Sequence, residues 1–233
     1  MTAPSEAQLA DARERWADLE RRVASACRRS GRERSGVTLL GACKRQPIER
    51  LLAVYEAGLR DFAENQVQSG ESNRPQLPDD VRWHLIGPLQ SNKARRAAGI
   101  FDTFHAIDRM KIARALDRHA ARPEPLRCFL EVNLGAEESK HGFLAEQIED
   151  AARELSQLER LEVVGLMAIP PRAESEDEAR GWFRQLRELL PAAEFESQRP
   201  QLLSMGMSSD FEIAIEEGAT HVRIGTSLFG ARD

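Results

Sequence analysis

The chain carries 33 Lys and Arg residues, yet only four are lysine: Lys44, Lys93, Lys111 and Lys140. Lys44 closes the apolar run 37–43, and a helical pattern opens at Pro47. A desolvated lysine can lose its proton near neutral pH and act as a nucleophile, which arginine cannot. The alternative is a strand-end lysine reaching for solvent. The other end of the chain bears on the choice. Residues 202–210 and 221–230 each read as a short apolar strand running into a turn of small, hydroxyl-bearing residues. Glycine lets a backbone approach a ligand, and Ser and Thr hydroxyls donate to phosphate oxygens. A helix after such a turn adds unpaired N–H groups and a positive dipole end. Two such turns on the last two strands of a strand–helix chain predict a phosphate cradle, as after strands 7 and 8 of α/β barrels.

A lysine amine facing a phosphate site predicts a ligand with both an aldehyde and a phosphate. Pyridoxal 5′-phosphate (PLP) fits, and so does a sugar phosphate in a Schiff-base aldolase. Arg223 helps to decide. Arg223 and Gly225 share a strand face, so Arg223 is expected under the ligand with Gly225 beside its phosphate. A ring nitrogen facing a permanent cation stays unprotonated, which weakens PLP as an electron sink. The alternative for Arg223 is a salt bridge at the barrel rim.

Positioning these groups requires a repeating frame. Ser5 and Gln8 read as a capping box that opens a first helix, and Gly31 ends it. Strand-like runs then follow at 37–43, 59–63, 81–86, 101–107, 126–134, 161–169, 201–205 and 221–228. Helical patterns separate them, and the last run alone lacks a following helix. A charged loop at 172–177 is expected to lead into the sixth of these helices. Regular alternation implies parallel strands joined by crossover helices. Eight units predict an α/β fold, a single (β/α)8 TIM-type barrel over residues 1–233, with residues 1–31 as an extra N-terminal helix packed on it. No glycine-rich dinucleotide fingerprint follows the first strand, which argues against an open sheet. The polar strand ends at Lys44, Glu64-Asn65, residues 87–93, Asn133 and the two small-residue turns are expected at one mouth.

The segments LLGACK (39–44), FAEN (62–65), WHLIGPLQSNK (83–93), GLMAIP (165–170), LSMGMS (203–208), VRIGT (222–226) and FGAR (229–232) recur in that order. Together they resemble the pyridoxal phosphate homeostasis protein family, over nearly the whole chain after the first helix. The resemblance implies a fold-type III PLP barrel like the N-terminal domain of alanine racemase. It implies PLP held as a Schiff base on Lys44, with Ser204, Gly206, Gly225 and Thr226 around the phosphate. Arg223 would face the pyridine nitrogen and Asn65 the ring oxygen or ring face, with Ile86 and Met205 as apolar neighbours. The implied role is intracellular homeostasis and carriage of PLP without catalytic turnover, with apo PLP-dependent enzymes as partners. The chain departs from the family pattern at Ala63 and Gln66, where Gly and Tyr are usual. Cys43 and Arg45-Gln46 replace the commoner Ser and Thr-Lys.

The alternative is an amino-acid racemase of the alanine-racemase type. That chemistry needs a second acid/base opposite the lysine, usually a Tyr from a second domain. The single tyrosine, Tyr55, falls in the helix after the first strand, and no second domain is expected. His84 reads as a hydrogen-bonded core residue, Lys140 as a solvent-exposed loop residue and Asn92-Lys93 as a helix cap. Lys93 and Lys140 remain open as second ligand contacts. A net charge of −5 offers no electrostatic case for nucleic acid or anionic membrane. Cys27, Cys43 and Cys128 make neither a metal-ligand spacing nor a disulfide framework, and no signal peptide is read at the start. A monomer in a reducing cytoplasm is expected.

Overall fold

The computed structural model describes residues 3–137, 140–194 and 201–230. Ala231 and Arg232, which belong to the last motif named above, lie outside the described residues.

The capping box at Ser5 forms as its spacing predicts. The Ser5 hydroxyl accepts from the Gln8 amide, and the Gln8 side chain accepts from the Ser5 amide at 2.8 Å. This satisfies two N–H groups left over at the start of α1 (Glu6–Arg29). Leu19, Val23, Ala26 and Cys27 recur at helical spacing and are buried.

The frame that follows is β1 (Thr38–Ala42), α2 (Ile48–Ala57), β2 (Asp61–Glu64), α3 (Val67–Asn73), β3 (Arg82–Leu85), α4 (Ala94–Ile100) and β4 (Thr103–Ile107). It continues through α5 (Met110–His119), β5 (Leu126–Glu131), α6 (Ile148–Leu155), β6 (Leu161–Met167), α7 (Glu176–Glu188), β7 (Leu202–Met207), α8 (Phe211–Glu216), β8 (His221–Ile224) and α9 (Thr226–Phe229). The strands close into a parallel barrel in chain order, and β1 pairs with β8 through Leu40 opposite Arg223. Two expectations need correction. The last strand stops at Ile224 rather than Leu228, because the backbone of Gly225 turns away and caps α9. The charged loop ends earlier than expected: α7 starts at Glu176, where the Ser175 hydroxyl accepts from the Glu178 amide.

Alternation along the strands separates two layers. One set of side chains, including Phe62, Trp83, Leu85, Met205 and Ile224, packs with the surrounding helices in the main core. The other set fills the barrel. Leu40, Ala63 and Ile86 form one interior cluster, and Ala106, Phe129, Val164 and Met167 another. Among them lie buried His84, His105, Ser204, His221 and Arg223. The helix α1 packs on α2, α8 and α9, bridging the first and last units of the barrel. Arg22 pairs there with Glu212 and Arg29 with Glu216. All three cysteines are buried, and burial pushes the Cys128 thiol up to about 12, a small apolar residue rather than a reactive one. Among the described residues no helix is long and apolar enough to cross a membrane.

Candidate functional site

The strand β1 ends at Ala42, so Lys44 stands two residues beyond it, in a turn closed by a Gln46 N–H to Cys43 carbonyl bond of 2.8 Å. Arg45 takes a left-handed conformation at φ 60°. Lys44 is exposed, so the desolvation its sequence position predicts is not found. It opens onto a cleft of about 850 Å³ that is also lined by Arg45, Asn65, Lys93 and Arg109. Asn65 therefore joins Lys44 as expected. Glu64 lines the same cleft although it is buried. Burial pushes its carboxyl up to about 7, against the pull of a 2.8 Å hydrogen bond from the Asn73 amide. Against this one partly protonated carboxyl stand Lys44, Arg45, Lys93 and Arg109, so the lining of the cleft has a cationic bias.

Arg223 is not a rim salt bridge. It is buried inside the barrel. Its Nη1 donates to the Ser204 carbonyl at 2.8 Å and to the Ser204 hydroxyl at 2.9 Å, and its Nη2 donates to the Ala168 carbonyl at 2.9 Å. Burial lowers it to about 10, with Asp210 and Glu131 pulling the other way, so it is a cation at neutral pH. A guanidinium has five N–H groups. Three are used, which leaves Nε–H and one Nη2–H without a partner among the described residues. Gly225, two residues on and just past the strand end, has room for a Cβ, whose nearest neighbours would be Ala42 atoms at 3.9 Å.

The turn after β7 is built differently from its reading in the sequence. The strand continues to Met207, two residues past its expected end. Ser204 is consequently buried one layer down, engaged by Arg223 and by His105, and cannot face a phosphate at the mouth. The Met205 side chain packs outward among the helices, so it offers the mouth no apolar surface. Gly206 sits at φ 89°, where an added Cβ would lie 2.5 Å from that of Ala214; it lets α8 approach rather than presenting space to a ligand. The residue missed was Ser208. Its hydroxyl accepts the Gly225 amide at 3.2 Å, which joins the two turns directly. Thr226 is exposed at the first position of α9. Ile86 belongs to the interior apolar cluster with Leu40 and Ala63, beside which Ala42 packs.

His84 is a core histidine, bonded on one side to His105 and on the other to Asp61. Tyr55 lies at the opposite end of the barrel from the mouth. Its hydroxyl donates to Asp80, just before β3, at 2.8 Å. Lys140 pairs with Glu137 at 2.6 Å. Lys93 makes no side-chain cap bond at the start of α4, contrary to the expected cap, and lines the cleft instead. The donor set fits PLP: an amine at Lys44, spare guanidinium donors at Arg223, and hydroxyls at Ser208, bonded to the Gly225 amide, and at Thr226 next to it. Among the described residues no group of His, Cys, Asp and Glu side chains could hold a metal ion.

A barrel with a lysine beyond its first strand and an arginine inside its last defines a class. Residues 41–233 match the model of the alanine racemase N-terminal domain. Within that class the relatives are specific. The pyridoxal phosphate homeostasis protein of Aquifex aeolicus is 41% identical over 223 residues, covering 94% of this chain and 97% of its own. That of Pseudomonas aeruginosa is 42% identical over 222 residues, covering 94% and 95%. Among solved structures, PipY of Synechococcus elongatus with PLP bound is 37% identical, with a TM-score of 0.80, covering 94% of this chain and 100% of its own. The chain belongs to the pyridoxal phosphate homeostasis protein family.

Proposed function

We propose that this protein binds PLP at the barrel mouth and acts as an intracellular carrier of it, releasing it as a monomer to apo enzymes in a reducing cytoplasm. Lys44 attaches the cofactor covalently through its amine. Ser208 and Thr226 hold the phosphate beside Gly225, and Asn65 contacts the ring from the cleft. When bound, PLP supplies an aldehyde for amine capture and a ring that can delocalise charge if its nitrogen is protonated. The observation that carries the reading is Arg223: buried, charged at neutral pH, and holding two N–H groups uncommitted among the described residues, two positions before Gly225. Such a group donates to the ring nitrogen and disfavours its protonation, so cofactor retention is favoured over carbanion chemistry. The naming of the relatives as homeostasis proteins rather than enzymes supports the same reading.

The racemase alternative needs a second acid/base at the mouth, and Tyr55 is held at the other end of the barrel. The test pairs two assays on the PLP-loaded protein. Transfer of PLP to an apo-enzyme is expected, with negligible deuterium exchange at the α-carbon of common amino acids. Exchange faster than roughly one per second, an enzyme-like rate, would overturn the carrier reading in favour of the racemase.

A further inference from the structure

Arg223 is the top of a hydrogen-bond chain that crosses the barrel interior. Its Nη1 donates to the Ser204 hydroxyl at 2.9 Å. Ser204 Oγ lies 2.8 Å from His105 Nδ1, and His105 Nε2 lies 3.0 Å from His84 Nδ1. His84 Nε2 lies 3.1 Å from Asp61 Oδ1, and Asp61 accepts two bonds from Arg82, at 2.7 and 2.5 Å. The Arg82 side chain is 61% exposed, at the amino-terminal end of β3 and so on the face opposite the mouth.

The two ends of this chain determine its direction. A guanidinium can only donate and a carboxylate can only accept. Burial raises the Asp61 carboxyl, but hydrogen bonds from His84 and Arg82 outweigh it and hold the group down to about 2, so it is ionised. Ser204 is fully buried, and the only groups bonded to its hydroxyl among the described residues are Arg223 and His105. Having accepted from Arg223, it must give its own proton to His105 Nδ1, or a buried hydroxyl goes unsatisfied. His105 then carries its proton on Nε2 and gives it to His84 Nδ1, and His84 gives its Nε2 proton to Asp61. Along the chain the Ser204 hydroxyl, His105 and His84 each accept once and donate once. Burial holds His105 well below its ordinary value, in keeping with a neutral ring. A protonated His84 would set two N–H groups against each other at 3.0 Å.

We propose that Asp61, His84, His105 and Ser204 are positioning residues that hold the Arg223 guanidinium through a one-way hydrogen-bond chain, aiming its remaining N–H groups at the ring nitrogen of the cofactor. The consequence for the ring rests on the PLP reading above; the direction of the chain does not. Polarised bonds in series reinforce one another, so Asp61 acts on Arg223 from across the barrel. The exposed guanidinium of Arg82 on the far face is thereby joined to the cofactor site.

The test begins with the PLP-free protein. Long-range nitrogen–proton NMR correlations on ¹⁵N-histidine-labelled protein identify the protonated nitrogen of each ring. His84 and His105 are both expected to be neutral with the proton on Nε2 at pH 7. A proton on Nδ1 of either ring, or an imidazolium at His84, overturns the proposal whether or not any variant folds. The second arm compares Asp61→Asn, which still accepts from His84, with Asp61→Leu, which does not. In the leucine variant His84 should move its proton to Nδ1, the absorbance of bound PLP should shift, and PLP should bind roughly tenfold more weakly. The asparagine variant should restore all three. Identical behaviour of the two variants sinks the proposal. Wild-type protein that has the expected tautomers but fails to bind PLP sinks the carrier reading and leaves the chain standing.

Discussion

At the scale of single residues, the mouth mixes groups that the sequence exposes with groups that only packing reveals. Lys44 stood out as a rare lysine after an apolar run. Arg223 stood out because strand alternation places it with Gly225. Glu64 carried no comparable signal: its carboxyl titrates abnormally because of burial, and burial is not visible in a Glu-Asn pair. Its consequence is measurable. The folded carboxyl titrates at about 7 against an ordinary value of 4.5. Between those values the folded chain keeps a proton that the unfolded chain has lost. The contribution of neutral Glu64 is therefore complete below about pH 4.5 and is lost as pH rises through 7. Glu64→Gln keeps a neutral group there at every pH. Thermal melts of the PLP-free protein should show the variant stabilised relative to wild type at pH 8, by on the order of 1–3 kcal/mol, with little difference at pH 4.5. An equal shift at both pH values contradicts a buried, raised Glu64. His221 works in the opposite sense. Burial holds it down to about 3, so stability tied to its neutral form is present above about pH 6.5 and declines as pH falls toward 3.

At the scale of elements, small errors in strand length account for most of what the sequence misplaced. The order of strands and helices was readable from alternation, caps and turn residues. The site assignments depended on where each strand stops. Because β7 runs to Met207, Ser204 drops into the barrel and Ser208 takes the place at the strand end. Both serines belong to the same small-residue run, so composition could not tell them apart; the position of the strand end could. The same holds for β8, where Gly225 ends the strand and puts Thr226 at the head of a helix. The phosphate cradle is accordingly expected to depend on Ser208 and Thr226. Ser208→Ala combined with Thr226→Ala removes two hydroxyls, and charge-assisted hydrogen bonds are worth about 1.5–3 kcal/mol each. Equilibrium titrations should show PLP binding weakened at least roughly tenfold while pyridoxal, which lacks the phosphate, is almost unchanged. Equal losses for both ligands would remove these hydroxyls from the phosphate. Ser204→Ala alone should instead shift the spectrum of bound PLP, because it removes the hydroxyl that links Arg223 to His105 while the two carbonyl bonds remain.

At the scale of the whole molecule, α1 is the addition to an eight-unit barrel. It lies across α2, α8 and α9, over the seam where β1 meets β8. Its buried face includes Leu19, Val23 and Cys27, and fully burying a side chain of leucine or valine size is worth about 1.5–3 kcal/mol. A chain beginning after residue 31 would expose the facing surface and leave Glu212 and Glu216 without Arg22 and Arg29. Circular dichroism melts should show it several degrees or more less stable than the full chain, with a broader transition. Unchanged melting would mean that the barrel closes without its strap. The capping box made this helix legible in the sequence. Its place across the seam was not, because pairing between the ends of a barrel leaves no local pattern.

The central claim is that this mouth holds PLP on Lys44. The most direct measurement is borohydride reduction of the PLP-loaded protein, followed by peptide mapping of the pyridoxyl group, with Lys44→Ala as the control. The account predicts a yellow protein whose absorbance is lost on reduction, with the pyridoxyl group on Lys44 and no reducible adduct in the variant. Mapping of the group solely to Lys93, Lys111 or Lys140, with an unchanged adduct in Lys44→Ala, would contradict it.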